Sequence, residues 1–349
     1  MITYIIRRLL LLPLIMVLVT LILFFLIMQL PVEQRVSVYL PSSSAAATLD
    51  PEESARLVQN TIEKYGLDEP FIIQYANWLR NLVSGEWGYS PTWRQPVFEG
   101  LMQRVPATAE LAITAMVPAV ILALVLGSLA ARYRNRWPDH VIQSAAFVAW
   151  AFPAFILGLM LMNVFYAWLG WFPPERLSIG VSISLTPETF RSYTGMYTVD
   201  ALLNRNWTVL RDAARHLVLP ALTLALAQWA LLSRVMRSAM VDVLAEDYIT
   251  TARAKGLPER RIFGLHARRN AILPVISTGG VAVSLLLTGV VVIETVFNFN
   301  GIGRAAAESI VYTDIPVAVG FAVFSCTVTV MASLAVDVLY VVFDPRIRY

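Results

Sequence analysis

The sequence predicts an all-α membrane protein with six transmembrane helices. Hydrophobic residues make up 57% of the 349-residue chain, charged residues only 15%, and the mean hydropathy is +0.63. This composition is too apolar for an ordinary soluble domain. Several apolar runs reach the ~20 residues that a helix needs to cross a bilayer. The polar residues are concentrated between these runs, so the chain is expected to alternate between membrane and water.

The first apolar run extends from Leu9 to Leu30 and follows the pair Arg7-Arg8. A charged start followed by an apolar stretch resembles a secretory signal. However, this run has the length of a bilayer-spanning helix rather than that of the shorter core of a cleaved signal. Residues 1–30 are therefore predicted to form a retained N-terminal transmembrane helix.

Residues 31–105 are predicted to form a small helical subdomain outside the membrane. Pro51 marks a helix start, Gly66 a helix stop, and a second helix is expected between Asp68 and Gly85. Helical spacing places several large apolar residues of that second helix on one face. They are Phe71, Tyr75, Trp78, Leu79 and Leu82. This face is interpreted as the core of the subdomain or as a cover over the helix ends.

The remainder of the chain, 106–343, is predicted to be the main transmembrane domain. It contains five further apolar runs, one long outer loop and one charged loop on the opposite side. The spans are 107–131, 141–169, 217–240, 272–296 and 316–343, the outer loop is 170–216, the charged loop is 241–271, and 344–349 forms a tail.

The distribution of positive charge predicts the orientation. If six spans alternate, one side collects nearly all the arginines of the short loops and of the chain ends. These are Arg7, Arg8, Arg132, Arg134, Arg136, the arginines of 241–271, Arg346 and Arg348. Lys and Arg are retained in the cytoplasm, so both termini and the loop 241–271 are expected to be cytoplasmic, in a multi-pass protein of the plasma (inner) membrane.

The charged loop carries more structure than a simple connection needs. Lys255-Gly256-Leu257-Pro258 combines a residue suited to a helix stop with one suited to a helix start, which predicts two short helices and a tight corner. Small residues around Thr251 and Ala252 would keep the first helix thin enough to lie in a groove of a partner. The alternative is a solvated loop whose arginines only hold it in the cytoplasm.

Polar side chains inside the spans are candidates for a translocation path or for interhelical hydrogen bonds. They are Asn163, Gln228, Ser233 and Thr288. Carboxylates at membrane depth are functional candidates by default. For Glu110 and Glu294, pairing with a neighbouring helix or contact with water near a helix end is the favoured interpretation.

Enzymatic and metal chemistry finds no support in the sequence. The chain has no G-x-x-x-x-G-K-[ST] loop for ATP, no G-x-S-x-G elbow and no H-E-x-x-H pair. Cys326 is its only cysteine, which excludes an intramolecular disulfide, and the three histidines are scattered singly. No basic face with interleaved aromatic residues indicates nucleic acid. A non-catalytic chain without a cofactor or metal is therefore predicted.

Several motifs resemble one family of membrane proteins. The segment YITTARAKGLPERRIFGLHARRNAILP, from Tyr248 to Pro274, closely resembles the coupling loop of the permeases of peptide and nickel ABC importers, the binding-protein-dependent type I class. Further matches are MITYIIRRLLLL, YGLDEPFIIQYANWL, RVPATAELA, HLVLPALTLAL, ETVFNFNGIGR and DPRIRY. Thr250-Thr251-Ala252 stand where the wider class has Glu-Ala-Ala, which is the pattern of the first permease of dipeptide and oligopeptide systems.

The resemblance implies a type I ABC importer permease fold and a set of partners. These are a second homologous permease that forms a heterodimer, two ABC ATPases that bind ATP and Mg²⁺, an extracytoplasmic solute-binding protein, and membrane lipid. It also implies that a coupling helix docks on an ATPase. The implied coupling residues are Glu246, Asp247, Tyr248, Thr251, Ala252, Arg253, Ala254, Lys255 and Gly256.

The implied cargo is a dipeptide or oligopeptide. Similar permeases handle nickel complexes, opines, glutathione or sugar oligomers, so these remain alternatives. Two other classes stay open from the residues alone: a secondary carrier driven by an ion gradient, and a membrane scaffold without transport.

Overall fold

The computed structural model describes residues 2–31, 35–36 and 51–343, so the predicted tail 344–349 and part of the segment 31–105 lie outside the described residues. The N-terminal part contains α1 (Ile2–Met28), α2 (Pro51–Tyr65), α3 (Phe71–Val83) and a two-stranded antiparallel hairpin, β1 (Tyr89–Ser90) and β2 (Gln95–Pro96). The remaining helices are α4 (Val97–Arg132), α5 (Trp137–Ala151), α6 (Ala154–Met162), α7 (Ile179–Ser184), α8 (Tyr197–Leu203), α9 (Trp207–Leu244), α10 (Asp247–Ala254), α11 (Glu259–Arg261), α12 (Arg268–Val296), α13 (Ile302–Val311) and α14 (Ile315–Phe343). Two π-helical turns, Asn163–Trp168 and Ile262–Ala267, continue α6 and join α11 to α12.

The predicted all-α membrane fold is confirmed. Among the described residues, five helical stretches are long and apolar enough to cross a membrane: those of α1, α4, α9, α11–α12 and α14. The pair formed by α5 and α6 with its π-helical turn makes a sixth if it is counted as one span.

The third span is a bent pair of helices rather than one straight helix. Its two parts meet at an angle of 101° between Ala151 and Ala154. Phe152 adopts an extended conformation (φ −92°, ψ 133°) and Pro153 follows it. Proline disfavours the α conformation of the residue before it, so the helix ends there and a new one begins. The predicted span 141–169 contains Pro153, which allows a bend, but the sequence does not predict that the helix breaks there.

The helices extend further than the spans predicted from apolar runs. α4 begins at Val97, α9 at Trp207, and the helical path of the fifth span at Glu259. Hydropathy marks only the part of a helix that lipid surrounds, whereas backbone hydrogen bonding continues the helix into water. The predicted bounds therefore mark the most apolar part of each helix and not its full length.

The chain divides into two compact units. The first consists of Met1–Ile5, Ala107–Asn300 and Met331–Tyr349, and its core lies where α4, α9 and α12 meet. α4 contributes a stripe of fully buried residues at every fourth position, Ala107, Leu111, Ala115, Ala119 and Ala123. Small side chains at this spacing allow helix backbones to approach closely, which drives helix association in a membrane.

Gly127 continues this stripe at the tightest point of the packing between α4 and α9. A Cβ atom on Gly127 would lie 2.7 Å from the carbonyl oxygen of Ser233 and 2.8 Å from the Cβ of Met236. The backbone of Ser233 cannot move aside without disturbing α9. Gly127 is therefore required by close approach and not by backbone conformation.

We expect Gly127→Ala to lower the stability of the protein by about 1–3 kcal/mol, the usual cost of overpacking a filled interior. Gly279→Ala is the matched control, because a Cβ on this second helical glycine meets nothing within 4 Å. The control is expected to be neutral or to stabilise by up to about 1 kcal/mol through helix propensity. Thermal unfolding in detergent compares the two variants, and equal melting temperatures would contradict the packing argument.

In the first unit, the outer loop 170–216 is held by a buried carboxylate. Glu110 accepts hydrogen bonds from the Arg176 guanidinium at 2.7 Å and from the backbone and hydroxyl of Thr198, both at 2.7 Å. The Arg176 guanidinium also lies 4.2 Å from the centre of the Tyr197 ring. Glu294 in turn accepts a 2.6 Å hydrogen bond from Thr108. Both membrane-depth carboxylates are thus satisfied by neighbouring elements of the chain.

The second unit consists of Ile6–Pro106 and Gly301–Val330. The aromatic face predicted for 68–85 packs against the first transmembrane helix, since Phe24 lies 5.4–5.6 Å from the rings of Phe71, Tyr75 and Trp78. The hairpin is anchored separately by Asp314, whose carboxylate accepts a 2.6 Å hydrogen bond from Ser90. Aromatic packing and one buried hydrogen bond therefore order the outer segment.

Candidate functional site

The loop 241–271 forms one short helix between two long ones. α9 ends at Leu244, α10 spans Asp247–Ala254, and the chain then turns through Gly256 at φ +74°. Glycine adopts this left-handed conformation without steric cost, as the predicted helix stop requires. The turn positions α10 as a separate element.

The second short helix predicted in this loop does not end within it. Pro258 occupies the cap position before α11 (φ −64°, ψ 140°), and the helical path runs from Glu259 through the π-helical turn into α12. No glycine stop interrupts the path, because Gly264 lies inside the π-helical turn. Pro274 is tolerated inside α12. The loop therefore contains a single short helix, docked beside the start of the fifth span.

One face of α10 is anchored in the core of its own domain. Ile249 is fully buried, and only 8% of the surface of Ala252 is exposed to solvent. Both belong to the same apolar cluster as Ile262 and Ala267 of the π-helical turn. The small side chain of Ala252, one of the predicted coupling residues, thus packs against the protein itself.

The other face of α10 and the corner after it are exposed. Of the predicted coupling residues, all except Ala252 are accessible: Glu246, Asp247, Tyr248, Thr251, Arg253, Ala254, Lys255 and Gly256. Helical geometry places Ala254 about 200° around the axis from Ala252. A thin, exposed surface made mostly of short or charged side chains is available to a partner.

Two side-chain contacts fix α10 against the helix that follows. The Asn270 amide donates a 2.7 Å hydrogen bond to the hydroxyl of Tyr248, and Arg253 pairs with Glu259 at 2.9 Å across the corner. The backbone N–H of Leu257 also donates to the carbonyl of Ala252 at 3.2 Å. These contacts connect α10 to the corner, to α11 and to the start of α12.

A bidentate ion pair stabilises the same end of the domain. Asp139, buried to all but 2%, accepts hydrogen bonds from Nε and one terminal nitrogen of Arg237, both at 2.6 Å, and from the backbone N–H of Asn135 at 2.9 Å. The sequence does not predict this pair. Asp139 lies in the first turn of α5, where acidic residues are common, and its partner is 98 residues away.

The predicted polar-path residues have different environments. Asn163 is exposed at the start of a π-helical turn, whereas Gln228 and Ser233 are buried at 5% and 1% exposure on α9. These two are five positions apart and so project about 140° from each other. The side chain of Thr288 lies outside the described part of the structure. Whether these residues line a path stays a prediction.

An apolar cavity of about 230 Å³ lies within the first unit. Its walls come from α4, α9, α12 and α14 and consist of Met116, Val120, Leu124, Leu232, Ile272, Val275, Ile276, Gly279, Val283 and Val336. No potential metal-binding group of three or more His, Cys, Asp or Glu residues occurs among the residues that the structure describes.

Several helices long and apolar enough to cross a membrane, together with one short helix that exposes one face, are features of the membrane subunits of transporters. The family model described as "Binding-protein-dependent transport system inner membrane component" matches residues 123–349, and the model of its N-terminal part matches residues 1–112. The chain belongs to this family of transport-system permeases.

Curated relatives agree with the family. The chain is 40% identical over 313 residues to the probable D,D-dipeptide transport system permease protein DdpB of Escherichia coli strain K12, covering 89% of this chain and 90% of the relative. It is 35% identical over 350 residues to the glutathione transport system permease protein GsiC of the same strain, covering both chains completely. The GsiC protein of Salmonella choleraesuis strain SC-B67 is 34% identical over the same length.

The predicted resemblance and function are thereby confirmed at the level of the class. The protein is a permease subunit of an ABC importer, a non-catalytic inner-membrane component that works with a solute-binding protein and ATPase partners.

Proposed function

We propose that this chain forms one half of a heterodimeric pore that imports dipeptides or oligopeptides. A second homologous permease forms the other half, and two ATPases bind ATP and Mg²⁺, so this chain itself holds no cofactor. The DdpB and GsiC relatives are named for a dipeptide and for glutathione, which is itself a tripeptide. Peptides are therefore the favoured class of substrate, with glutathione as the alternative within that class.

The division of α10 into a buried and an exposed face carries this proposal. Ile249 and Ala252 hold the helix to the domain, while Asp247, Thr251 and Ala254 point away from it. A helix held on one side and free on the other can lie in a groove of an ATPase and follow its motion as a rigid body. The hydrogen bond between Tyr248 and Asn270 passes that motion to α12.

The proposed orientation follows from the charges. The loop that contains α10 and the connection after α4 carry Arg132, Arg134, Arg136 and the arginines of 253–269. This positive side is proposed to be cytoplasmic, with both termini, because arginine-rich short loops remain inside. The outer loop 170–216 and the segment 31–105 then face the solute-binding protein.

A mild-detergent purification of the tagged chain from its native membrane, followed by mass spectrometry, tests the proposed assembly. We expect a second permease of the same family, two P-loop ATPase chains and a solute-binding protein, whose ligand can then be screened against dipeptides, tripeptides and glutathione. Recovery of the chain alone or only as a homo-oligomer would contradict the heterodimeric importer. A binding protein that retains only nickel complexes or sugars would contradict the peptide substrate.

A further inference from the structure

A cavity of about 350 Å³ lies at the end of α4 that adjoins the loop 241–271. Its walls are formed by α4, α9, α11, the π-helical turn and the start of α12. The lining residues are Val125, Ser128, Leu129, Arg132, Met240, Arg260, Phe263, Gly264 and Arg268. Three arginines thus line one cavity, and its lining contains no carboxylate.

These three arginines carry uncompensated charge. Arg132, Arg260 and Arg268 are all exposed, and within the part of the chain that the structure describes none of them forms a salt bridge with an aspartate or glutamate. Arg132 contacts an aromatic ring instead, with its guanidinium carbon 5.7 Å from the centre of Phe263. Three unpaired cations around a pocket favour an anionic ligand with several acceptor oxygens, such as a phosphate group.

The other residues that line the cavity continue an exposed apolar face of α4, which is suited to contact with the acyl chains of a lipid. Val125, Ser128, Leu129 and Arg132 are spaced i, i+3, i+4 and i+7, so they share one face of α4. The apolar members of this face are exposed, Val125 at 49% and Leu129 at 38%, and Leu122 extends the stripe one turn further at 45%. The apolar stripe complements the acyl chains of a phospholipid, and the arginines at the end of the stripe complement its phosphate group.

We propose that this cavity binds the headgroup of an anionic phospholipid, whose acyl chains lie along Leu122, Val125 and Leu129. Basic pockets at the ends of transmembrane helices recognise anionic headgroups by this combination of charge and depth. The lipid would cover the junction of α4 with the π-helical turn that supports α10. The site rests on the membrane fold and requires neither the proposed substrate nor the proposed partners.

Native mass spectrometry of the full chain in detergent tests the site, with phosphatidylglycerol and phosphatidylcholine of identical acyl chains as probes. We expect the wild-type chain to prefer phosphatidylglycerol. The triple variant Arg132→Gln, Arg260→Gln, Arg268→Gln should bind it more than about tenfold more weakly. The matched control Arg134→Gln, Arg136→Gln, Arg261→Gln removes the same charge at exposed arginines that do not line the cavity, and should retain the preference.

A second variant distinguishes binding in the cavity from nonspecific attraction of the lipid to positive charge. Gly264→Trp leaves every arginine in place and adds a large side chain at a position where a Cβ meets nothing within 4 Å. It should fill the cavity and reduce phosphatidylglycerol binding to the level of phosphatidylcholine, without lowering the melting temperature. Unchanged lipid binding in Gly264→Trp or in the pocket triple variant would overturn the proposal, as would an equal loss in the control.

Two further outcomes identify a different occupant. Displacement of phosphatidylglycerol by inorganic phosphate at millimolar concentration would assign the pocket to a free anion and overturn the lipid assignment. Loss of ATPase co-purification in the pocket triple variant, with lipid binding unchanged, would assign the arginines to a protein interface and overturn it as well. Retention of lipid under excess phosphate, and its loss in both pocket variants only, is the result we expect.

Discussion

Ala254→Trp is expected to reduce substrate-stimulated ATP hydrolysis of the assembled transporter by about 5- to 150-fold. Ala254 is exposed on α10 and projects away from the buried pair Ile249 and Ala252. An indole at this exposed position occupies the space that a partner groove would need. Overpacking a close interface costs about 1–3 kcal/mol, which corresponds to roughly a 5- to 150-fold loss in the docking equilibrium.

The measurement uses the complete complex in proteoliposomes, with the solute-binding protein and its ligand. Ala145→Trp is the matched control, since Ala145 is an exposed helical alanine on α5, outside the loop 241–271 and outside the segments proposed to face the solute-binding protein. Both variants should insert and unfold as the wild type does, but only Ala254→Trp should lose ATPase co-purification and stimulated hydrolysis. Full stimulation in Ala254→Trp would remove α10 from the coupling mechanism.

Ala252→Trp is a poorer test of the same idea. The sequence marks Ala252 as one of several small residues and gives no reason to distinguish it from Ala254. In the structure its side chain lies in the core, so a tryptophan there would disturb the packing of α10 before any partner is met. Helical spacing alone cannot tell which face of so short a helix is buried, because α10 offers only two turns of pattern.

The features of this protein that can be predicted from the sequence are those determined by residues close together in the chain. Apolar runs predicted the all-α membrane fold, and the residues Gly256 and Pro258 predicted the corner after α10. The aromatic face of 68–85 followed from helical spacing. These features depend on neighbouring residues, so one sequence contains enough information to predict them.

The features that one sequence does not specify are contacts between distant residues, including the partner of Glu110, which is predicted to pair with a neighbouring helix or to contact water. Asp139 and Arg237 are 98 positions apart, and Glu110 and Arg176 are 66 apart. Each of these residues has an ordinary explanation from its neighbours in the sequence, either as a residue at a helix start or as a charge near a membrane boundary. The break at Pro153 is not predicted for another reason, because proline is common in membrane helices and only some of them break there.

Asp139→Ala is expected to destabilise the protein by about 3–5 kcal/mol, the usual cost of removing one member of a buried ion pair. The substitution leaves the Arg237 guanidinium, of whose side chain only 25% is exposed, without its two 2.6 Å acceptors. It also removes the acceptor for the N–H of Asn135, a residue held at φ +61°. In detergent the melting temperature should fall by roughly 5–10 °C.

A control and a double variant distinguish the ion pair from a general loss of charge. Glu259→Gln breaks the Arg253 pair, whose side chains are 44% and 53% exposed, and should change stability by less than about 1 kcal/mol. Asp139→Ala combined with Arg237→Ala should cost at least about 1 kcal/mol less than the sum of the single variants. Strict additivity would mean that the two residues act independently.

The ion pair between Asp139 and Arg237 is also expected to affect the coupling of ATP hydrolysis to transport. Arg237 lies two turns before Leu244, where α9 ends and the chain leads into α10. Asp139 connects this end of α9 to the start of α5, so its loss should loosen the base from which α10 projects. We therefore expect the surviving Asp139→Ala complex to hydrolyse ATP with weaker stimulation by the liganded binding protein. Asp139→Asn, which keeps the shape and part of the hydrogen bonding, should recover some of that stimulation, and no recovery would limit Asp139 to a role in stability.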